Sequence, residues 1–332
     1  EQSVSEIVKK TGIPHPRAYD TLRNLVKYGL ITPKTQIEKP SLEGQKRTAK
    51  TYRAFEPEIG IGNLFAFFTY AKEEAIKELQ KLANSSIEFV SGIWEVLGRE
   101  NIINIVKLMI EEAEYEILMA AGINFIQKIK DSLIAASKRR VHISCVTSIP
   151  ERLNTDFLLD ELRFVRIKHR KNFPMPYIIL DRSHAIQWNF KAFRTRGFSD
   201  PEYTQAQVID KIDLIDTLVD HFFFLNWRLG ELRTVADAPP PLPKSFIHII
   251  SAVEEIENLL QRGLTLNIVA KGSLTTTGQR ILKTGQLTRI HKDWDAGEFT
   301  LFLRTDKGSE VTIGGFGAYY EDVAADLIIL SL

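Results

Sequence analysis

The first thirty residues contain two short stretches in which apolar side chains recur every three or four positions, the spacing of one helix face. The first stretch, residues 4–8, follows Ser3 and includes Glu6, the pattern of a helix-capping box, and it ends before Gly12. The second stretch covers residues 18–28. Two short helices joined by a tight glycine turn predict a helix-turn-helix.

Short extended runs then replace the helical spacing. Residues 29–32 and 51–55 have the pattern of strands, and the loop between them, residues 34–50, is basic and contains glycine. This outline predicts a β-hairpin wing behind the second helix.

A longer helical pattern follows the wing. Its apolar positions recur at spacings of three and four over about three heptads. They are Ile61, Phe65, Phe68, Ala75, Leu79 and Leu82, with Lys72 interrupting the series. The pattern predicts one long amphipathic helix. Its apolar face either packs on its own domain or pairs with a second copy of the chain, and the pattern alone leaves both interpretations open.

From residue 93 onward, helical segments alternate with apolar extended segments. Helices are predicted over residues 99–114 and 124–139. The predicted strands are 117–121, 141–146, 164–167, 177–180 and 185–188. Such alternation predicts an α/β layer with a largely parallel sheet.

The last third of the chain begins with a predicted long helix over residues 205–229. A stiff proline-rich connector at 237–243 precedes a second predicted helix over 244–262. After Gly263 the pattern changes to period two, and residues 278–290 have the pattern of a hairpin. Five or more short strands predict a small antiparallel β domain or barrel.

Charge is distributed unevenly along the chain. The 332 residues carry a net charge of +1, which by itself argues against nucleic-acid binding. Residues 1–56, however, carry 11 Lys and Arg against six Asp and Glu, and the remaining residues carry 32 against 36. A basic N-terminal segment on an acidic body is typical of a protein that contacts phosphates through one end.

Other composition features exclude several protein classes. The single cysteine, Cys145, cannot form an internal disulfide or a thiolate zinc site, and it fits a reducing compartment. No apolar run reaches the roughly 18 residues that a membrane span needs.

The second predicted helix contains the candidate DNA contacts, because the N-terminal residues of a recognition helix reach base edges. Its outward residues are His15, Arg17, Asp20, Thr21 and Arg23, with Tyr19 at the edge of the buried stripe. Arg17 is the best candidate for a bidentate contact to guanine. In the wing, Lys46, Arg47 and Lys50 are placed to neutralise phosphates of double-stranded DNA. The alternative is a solvated basic surface on a small helical subdomain.

Residues 11–22 read Thr-Gly-Ile-Pro-His-Pro-Arg-Ala-Tyr-Asp-Thr-Leu. This segment resembles the recognition segment of the TrmB family of archaeal transcriptional regulators, which has the pattern T/S-G-I-P-x-x-R-x-Y-D-x-L. The Ile93-Trp94 start and the order of elements after it are also similar to that family. The resemblance implies a winged helix with one more helix, expected before Glu1. It also implies a dimerising coiled coil and a middle domain with a phospholipase D fold.

A phospholipase D fold raises the hypothesis of a phosphodiester hydrolase, whose motif is H-x-K-x4-D. His169-Arg-Lys171 begins that motif, but Pro176 stands where the Asp is required and no second copy is present. A covalent phosphoryl mechanism needs paired His–Lys sets around one phosphate, so we expect no catalytic residues. The sequence also contains no zinc-ligand spacing and no glycine-rich phosphate loop, so neither a metal nor a cofactor is expected.

Gly315 and Glu321 form a candidate ligand site, because glycine lets a ligand approach the backbone and a carboxylate accepts hydroxyl hydrogen bonds. A bulge beside a surface acid is the alternative interpretation. In sugar-sensing TrmB proteins the G-G-x-x-A-x-x-E-D segment contacts the ligand through its second Gly and its Glu, which implies Gly315 and Glu321 here. The family's Asn contact in the preceding strand falls at Phe299 or Thr300, neither of which is Asn. Asp213 is the counterpart of a polar pocket residue in the preceding helix.

Together these patterns predict an α/β multidomain chain. The expected domains are a winged helix-turn-helix without its first helix (1–57), a coiled-coil dimerisation helix (58–90), a phospholipase D-like α/β domain (91–233) and a small antiparallel β domain that binds the effector (234–332). We expect a cytoplasmic homodimer that binds double-stranded DNA and a mono- or disaccharide, without membrane association. An effector-free architectural DNA-binding protein and a phospholipase D-like hydrolase are the other function classes that stay open.

Overall fold

The structure is a computed structural model that describes residues 1–37, 48–85, 92–149, 156–172, 175–189, 204–234 and 242–332. The tip of the predicted wing, with Lys46 and Arg47, and most of the predicted proline connector lie outside these residues. The chain divides into two compact units, Glu1–Val90 and Ser91–Leu332.

The first unit contains the predicted helix-turn-helix. Its elements are β1 Gln2–Ser3, α1 Val4–Thr11, α2 His15–Lys27, β2 Ile31–Ile37, β3 Thr48–Ala54 and α3 Pro57–Ser85. The three strands form an antiparallel sheet in the order β1-β3-β2. The unit has a small core in which Val4, Ala18 and Leu22 are buried.

Local sequence features fix where α1 begins and ends. The Ser3 side chain accepts a hydrogen bond from the Glu6 backbone N–H, and the Glu6 carboxylate accepts one from the Ser3 backbone N–H, which completes the predicted capping box. Gly12 follows the helix at φ +71°, a left-handed conformation that glycine adopts without a steric penalty. The predicted helix-turn-helix is therefore confirmed.

The second unit begins with alternating strands and helices. They are β4 Ile93–Leu97, α4 Arg99–Glu112, β5 Glu116–Ala120, α5 Ile123–Lys138, β6 His142–Thr147, α6 Asp156–Glu161, β7 Arg166–His169, β8 Tyr177–Leu180, β9 His184–Trp188, β10 Gln205–Ile209, α7 Ile212–Asp220 and β11 Glu231–Leu232. A π-helical stretch, His221–Trp227, continues α7.

The chain then enters a region dominated by strands. Its elements are β12 Lys244–Phe246, α8 Ile249–Gln261, β13 Asn267–Leu274, β14 Arg280–Asp293, β15 Glu298–Arg304, β16 Glu310–Gly314 and β17 Val323–Ser331. Strands β13 to β16 pair with their neighbours antiparallel, and β17 pairs with both β13 and β16, so that the five strands close into a barrel. Strand β12 adds to β17 outside this ring.

The large sheet has eight strands in the order β11-β7-β6-β5-β8-β9-β10-β4. Among the described strand pairs of this sheet only β5–β6 and β6–β7 run parallel, so the prediction of a largely parallel sheet was wrong. A parallel crossover needs a dozen or more residues. The short turn at 181–183 between β8 and β9 permits only a hairpin.

The predicted helix over 205–229 was also wrong in its first part. Residues 205–209 form β10, which pairs with β9 on one side and with β4 on the other. A short run of apolar residues does not distinguish a strand from a helix segment, and here the pairing partner β4 lies more than a hundred residues earlier.

Two further boundaries in the last third differ from the prediction. Residues 244–246 form β12, so the predicted helix over 244–262 begins only at Ile249. Residues 280–293 form one long strand, β14, where a hairpin was predicted. Strand β12 forms because it pairs with the distant β17, whereas β14 is long because its first half pairs with β13 and its second half with β15.

Two hydrophobic cores lie on the two faces of the large sheet. Ile102, Val106, Ile126 and Ile129 from α4 and α5 belong to the core on one face. The other core is continuous through α7, its π-helical continuation, α8 and the barrel. Residues before and after the predicted 233/234 boundary share this second core, and the boundary stays a prediction.

A buried carboxylate joins the large sheet to the start of α8. Glu116 accepts hydrogen bonds from the backbone N–H of Ile247 at 3.1 Å and of His248 at 3.0 Å, and its Oε2 lies 2.9 Å from His248 Nδ1. Burial opposes ionisation of Glu116, but the interaction with His248, through its charge and its hydrogen bonds, outweighs burial and lowers the pKa of Glu116. The ionised carboxylate therefore caps α8, where the helix dipole favours negative charge.

A second carboxylate holds the β8–β9 turn. Asp181, at φ +48°, accepts hydrogen bonds from the backbone N–H groups of Glu114 (2.7 Å), Tyr115 (2.9 Å) and Glu116 (2.7 Å). These bonds fix the hairpin turn against the beginning of β5. The side chain therefore has a structural role that accounts for both of its oxygens.

Replacing Asp181 by alanine should lower the free energy of unfolding by about 3 kcal/mol. Each partly buried N–H left without an acceptor costs roughly 1–3 kcal/mol, and alanine is strained by roughly 1–2 kcal/mol in the left-handed region. The urea midpoint measures the loss. Asp181→Asn is the matched control, because asparagine tolerates that backbone and keeps one acceptor oxygen. An alanine variant that unfolds at the wild-type midpoint would contradict the structural role.

Candidate nucleic-acid interface and effector site

Helix α2 presents a polar face to solvent. Ala18 and Leu22 turn inward to the small core, which leaves the intervening positions outward. The predicted contact residues on α2 are all exposed: His15, Arg17, Tyr19, Asp20, Thr21 and Arg23. Tyr19, expected at the edge of the buried stripe, is 51% exposed.

Contacts within α2 distinguish these side chains from one another. Arg23 lies 3.6 Å from Asp20 in an exposed pair, which is longer than a hydrogen bond. The Thr21 hydroxyl donates to the Arg17 carbonyl at 2.8 Å. The Arg17 guanidinium makes no ion pair with any side chain among the described residues. It can therefore approach a base edge without first breaking an internal pair.

The wing is only partly described. Lys50 is exposed on β3, which is paired with β2 over residues 31–37. Lys34 on β2 pairs with Glu1 at 3.2 Å. Lys46 and Arg47, the other two predicted phosphate contacts, lie outside the described residues.

Helix α3 carries an exposed apolar stripe on one side. Ile61, Phe65, Phe68 and Leu79 are 51%, 70%, 56% and 64% exposed. Neighbouring positions attach the helix to the helix-turn-helix, because Asn63 Nδ2 donates to the Gly29 carbonyl at 2.9 Å and the Phe67 ring packs edge-on against Tyr28 at 5.0 Å. Most of the stripe remains in contact with solvent, and so large a row of exposed apolar side chains is typical of an interaction surface.

The structure brings two of the predicted effector residues into direct contact at the barrel. The Thr300 hydroxyl on β15 donates to Glu321 Oε1 at 2.7 Å. Glu321 also packs against Gly314, where a Cβ atom would lie 2.8 Å from its carboxylate and 2.5 Å from Ala318 Cβ. Only glycine leaves room there for the carboxylate. Thr300 is 8% exposed and Glu321 is half-buried, so the pair lies at the edge of the barrel interior.

Gly315 lies beside the same carboxylate region but faces α8. A Cβ atom at Gly315 would come within 2.6 Å of Ile249 Cγ2. Asp322, next to Glu321, serves the fold, because its Oδ2 accepts hydrogen bonds from the backbone N–H and the hydroxyl of Thr312, both at 2.8 Å. Glu321, which contacts Thr300 through Oε1 alone, is the acid of this segment that lies at the edge of the barrel interior.

Asp213 is exposed on α7, and the structure records no contact between its carboxylate and Thr300, Gly315 or Glu321. Asp216 is the acid on α7 that is linked to the loop after β16, and the link is the side chain of Arg182. Arg182 forms a bidentate pair with Asp216 at 2.5 and 2.6 Å, and its guanidinium lies 3.2 Å from the centre of the Phe316 ring.

Sequence reasoning missed the Arg182–Asp216–Phe316 contact. Its members come from the β8–β9 turn, α7 and the loop after β16, and no local spacing relates them. The other aromatic residues of the segment differ in exposure, with Phe299 5% exposed and Tyr319 and Tyr320 72% and 83% exposed.

The residues of the incomplete hydrolase motif have local structural contacts. His169 Nδ1 accepts a hydrogen bond from the Ile149 backbone N–H at 3.1 Å, and Lys171 is exposed. Asp181 is engaged with three backbone N–H groups. Among the described residues no group of three or more His, Cys, Asp and Glu side chains is arranged to hold a metal ion. No helix in the described part of the chain is long and apolar enough to cross a membrane.

Comparison with known proteins relates three consecutive segments to one family. Residues 1–58 match the model of the sugar-specific transcriptional regulator TrmB. Residues 92–234 match the N-terminal subdomain of the TrmB EBD (effector-binding domain), and residues 241–332 match the C-terminal EBD subdomain of TrmB/TrmBL1.

A curated relative extends over nearly the whole chain. The HTH-type sugar sensing transcriptional regulator TrmBL1 of Pyrococcus furiosus is 23% identical over 98% of this chain and 89% of its own length. Among solved structures, the archaeal chromatin protein TrmBL2 is 23% identical over 69% of this chain and 87% of that chain, with a TM-score of 0.35. The phospholipase D family member Nuc of Salmonella typhimurium is 19% identical over 43% of this chain and 100% of that chain, with a TM-score of 0.34. TM-scores this low carry no structural argument.

Proposed function

Since the chain belongs to the TrmB family of sugar-specific transcriptional regulators, we propose that it is a sequence-specific DNA-binding regulator whose operator binding is modulated by a small-molecule effector, a mono- or disaccharide. The observation that carries the proposal is the exposed polar face of α2, presented by a glycine turn beside a basic hairpin. Its DNA target places the proposed action in the cytoplasm.

In this proposal α2 reads the major groove. Arg17 contacts a guanine edge, because a guanidinium matches the two acceptors that guanine presents there. The neighbouring exposed residues of α2 contact adjacent bases and phosphates. Lys50, with Lys46 and Arg47, neutralises phosphates and contributes affinity without sequence preference.

Two chains pair through the apolar stripe of α3. The exposed positions of the stripe follow the heptad spacing that the sequence predicts. Pairing with a second copy removes its large apolar side chains from water. A homodimer presents two recognition helices to two half-sites at a fixed spacing.

The effector binds at the edge of the barrel beside Glu321. The second oxygen of its carboxylate accepts a sugar hydroxyl hydrogen bond, and Thr300 orients that carboxylate. Gly315 belongs to the site in this proposal through its backbone, since its Cβ side is closed by Ile249. Asp213 lines the α7 side of the site in this proposal. The effector prefers one arrangement of the dimer and so changes the spacing of the two recognition helices.

The middle part of the chain, residues 91–233, is a non-catalytic domain of phospholipase D type in this proposal. The incomplete motif supports this reading, because the acid expected after Lys171 is replaced by Pro176 and Asp181 is occupied by backbone hydrogen bonds. Catalysis would need a second His–Lys set near the same phosphate.

The test measures operator affinity by fluorescence anisotropy with and without a panel of mono- and disaccharides. We expect at least one sugar to change the affinity, and Glu321→Gln to raise the sugar concentration for half of that change by about tenfold, while affinity without sugar is kept. Glu310→Gln, which removes an exposed acid from the neighbouring strand β16, is the control. Weak sequence preference with no response to any sugar would contradict the proposal and favour an architectural DNA-binding protein.

A further inference from the structure

A cavity lies between α8 and the edge of the large sheet, away from Glu321. Its volume is about 270 Å³, just below the roughly 300–1,000 Å³ typical of small-molecule pockets. Its walls include Arg163, Arg166 and Lys244, together with Asn258 and Gln261 of α8 and the following Arg262. Thr300, Gly315 and Glu321 do not line it, so it is distinct from the proposed effector site.

The lining of this cavity carries four basic side chains and three carboxylates. Arg166 and Lys168 share one carboxylate, Glu254, at 3.3 and 3.6 Å. That carboxylate also accepts a hydrogen bond from Trp227 Nε1 at 2.7 Å. Lys244 has Glu255 at 3.6 Å. Arg166 and its neighbour Lys168, which does not line the cavity, thus compete for one carboxylate in a region where side chains are largely shielded from water.

Arg166 and Lys244 retain the capacity to donate further hydrogen bonds. Arg166 Nη1 is buried and has no hydrogen-bond partner among the described residues, although Arg166 lines the cavity. The 3.6 Å separation of Lys244 from Glu255 exceeds a hydrogen bond. A buried donor without a partner is unfavourable, and a small movement of the Arg166 side chain, which is 25% exposed, would bring it to an acceptor in the cavity.

The crowding of positive charge contributes to lowered pKa values of neighbouring groups. Burial, together with the charge of Arg166, lowers the pKa of Lys244 and of Lys168, although their partner carboxylates oppose the shift. The pKa of His142 lies well below its ordinary value because it is buried, and Lys244 and Arg166 add to the effect. An anion between Arg166 and Lys244 would reduce this mutual repulsion.

The outer part of the cavity combines charge with neutral hydrogen-bonding groups. Arg163 and Arg262 are exposed, and Asn258 and Gln261 of α8 contribute amides. Glu257 is paired with Lys292 at 2.6 Å. The charge near the mouth is thus positive, and the amides are suited to hydroxyl groups.

We propose that this cavity binds a small phosphorylated metabolite, with its phosphate between Arg166 and Lys244 and its hydroxyl-bearing part toward Asn258 and Gln261. Guanidinium and ammonium groups are the side chains that bind phosphate oxygens most strongly. The volume admits a phosphate ester of a small polyol or sugar but not a nucleic-acid strand. The site stands independently of the sugar site at the barrel.

Calorimetry and thermal shift on the full chain test the site. The probes are glucose 6-phosphate, glycerol 3-phosphate, inorganic phosphate and glucose, each at matched ionic strength in chloride. We expect saturable binding of at least one phosphate ester and none of glucose at this site. Arg166→Gln should weaken that binding by roughly tenfold or more, because it removes a charge-assisted hydrogen bond. Arg280→Gln removes an exposed arginine of β14 and should leave the affinity unchanged.

Arg163→Gln is the second variant, since its exposed side chain can be changed without disturbing the fold. If Arg166→Gln does not melt cooperatively, weakened binding in Arg163→Gln supports the site. Glu321→Gln should bind the phosphate ester as the wild type does, which separates this site from the proposed effector site. The absence of saturable binding of any phosphate probe, or equal affinity in both cavity variants and the wild type, would overturn the proposal.

Discussion

Replacing Arg17 by alanine should lower operator affinity by about 1–3 kcal/mol for each recognition helix, or roughly 5- to 150-fold per half-site. The side chain is exposed near the start of α2 and makes no ion pair with any side chain among the described residues. Its guanidinium is therefore available for a bidentate contact with guanine. The loss should be much smaller on random DNA of the same length, since that DNA lacks the matched base. Fluorescence anisotropy on both DNAs at one salt concentration measures the difference.

Lys50→Ala is the comparison that separates base reading from phosphate binding. Lys50 is exposed on β3, and removing a phosphate-binding charge from this strand should weaken operator and random DNA alike. It should also reduce the slope of log affinity against log salt by about 1 for each half-site. Equal weakening of both DNAs by Arg17→Ala would reduce Arg17 to a phosphate contact. No weakening of either would remove α2 from the interface.

The helix-turn-helix could be predicted because its signals are local. The Ser3–Glu6 capping box and the left-handed Gly12 each involve residues within one helical turn, and the structure contains both. Such signals do not depend on the rest of the chain, since they satisfy backbone groups at the helix ends directly.

The sheet topology could not be predicted in the same way. The β8–β9 turn contains Asp181 and Arg182, both in the left-handed region at φ +48° and +54°, where Asn-Gly is the usual sequence of a hairpin turn. Because the turn sequence is atypical, the sequence pattern did not indicate a hairpin, and the apolar strands on either side were predicted to be parallel strands of an α/β layer. Asp181 tolerates this backbone because its carboxylate binds three N–H groups of the adjacent segment.

The candidate effector site also combines residues that a local sequence segment predicts with contacts that only the folded chain shows. Gly315 and Glu321 lie in one short segment that could be recognised locally, and the resemblance to the TrmB family implied Phe299 or Thr300 in the preceding strand. The Arg182–Asp216–Phe316 contact joins three separated segments through an ion pair and a ring contact. No periodicity in one sequence relates residues that far apart, so only the folded chain brings them together.

Replacing Phe65 by glutamate should convert the proposed homodimer into monomers at micromolar concentration. Phe65 is the most exposed large apolar residue of the α3 stripe, and it lies between Ile61 and Phe68 on the same helix face. A dimer would bury it against the partner helix, where an unpaired carboxylate is strongly unfavourable. Operator affinity should then fall by roughly 100- to 10,000-fold, because two linked heads bind far more tightly than one.

Tyr70→Glu is the matched control for this substitution. Tyr70 is an exposed aromatic residue of the same helix, 63% exposed, and at about 100° per residue it lies opposite the stripe. Tyr70→Glu places the same charged residue in the same helix but outside the apolar stripe, so the variant should remain a dimer and bind the operator normally.

Multi-angle light scattering after gel filtration measures the mass of both variants. If Phe65→Glu remains dimeric, α3 does not pair the chains. If both variants become monomeric, added charge rather than the stripe is responsible. A monomer only in Phe65→Glu would locate the pairing on the stripe, because the two variants differ only in the face of α3 that carries the charge.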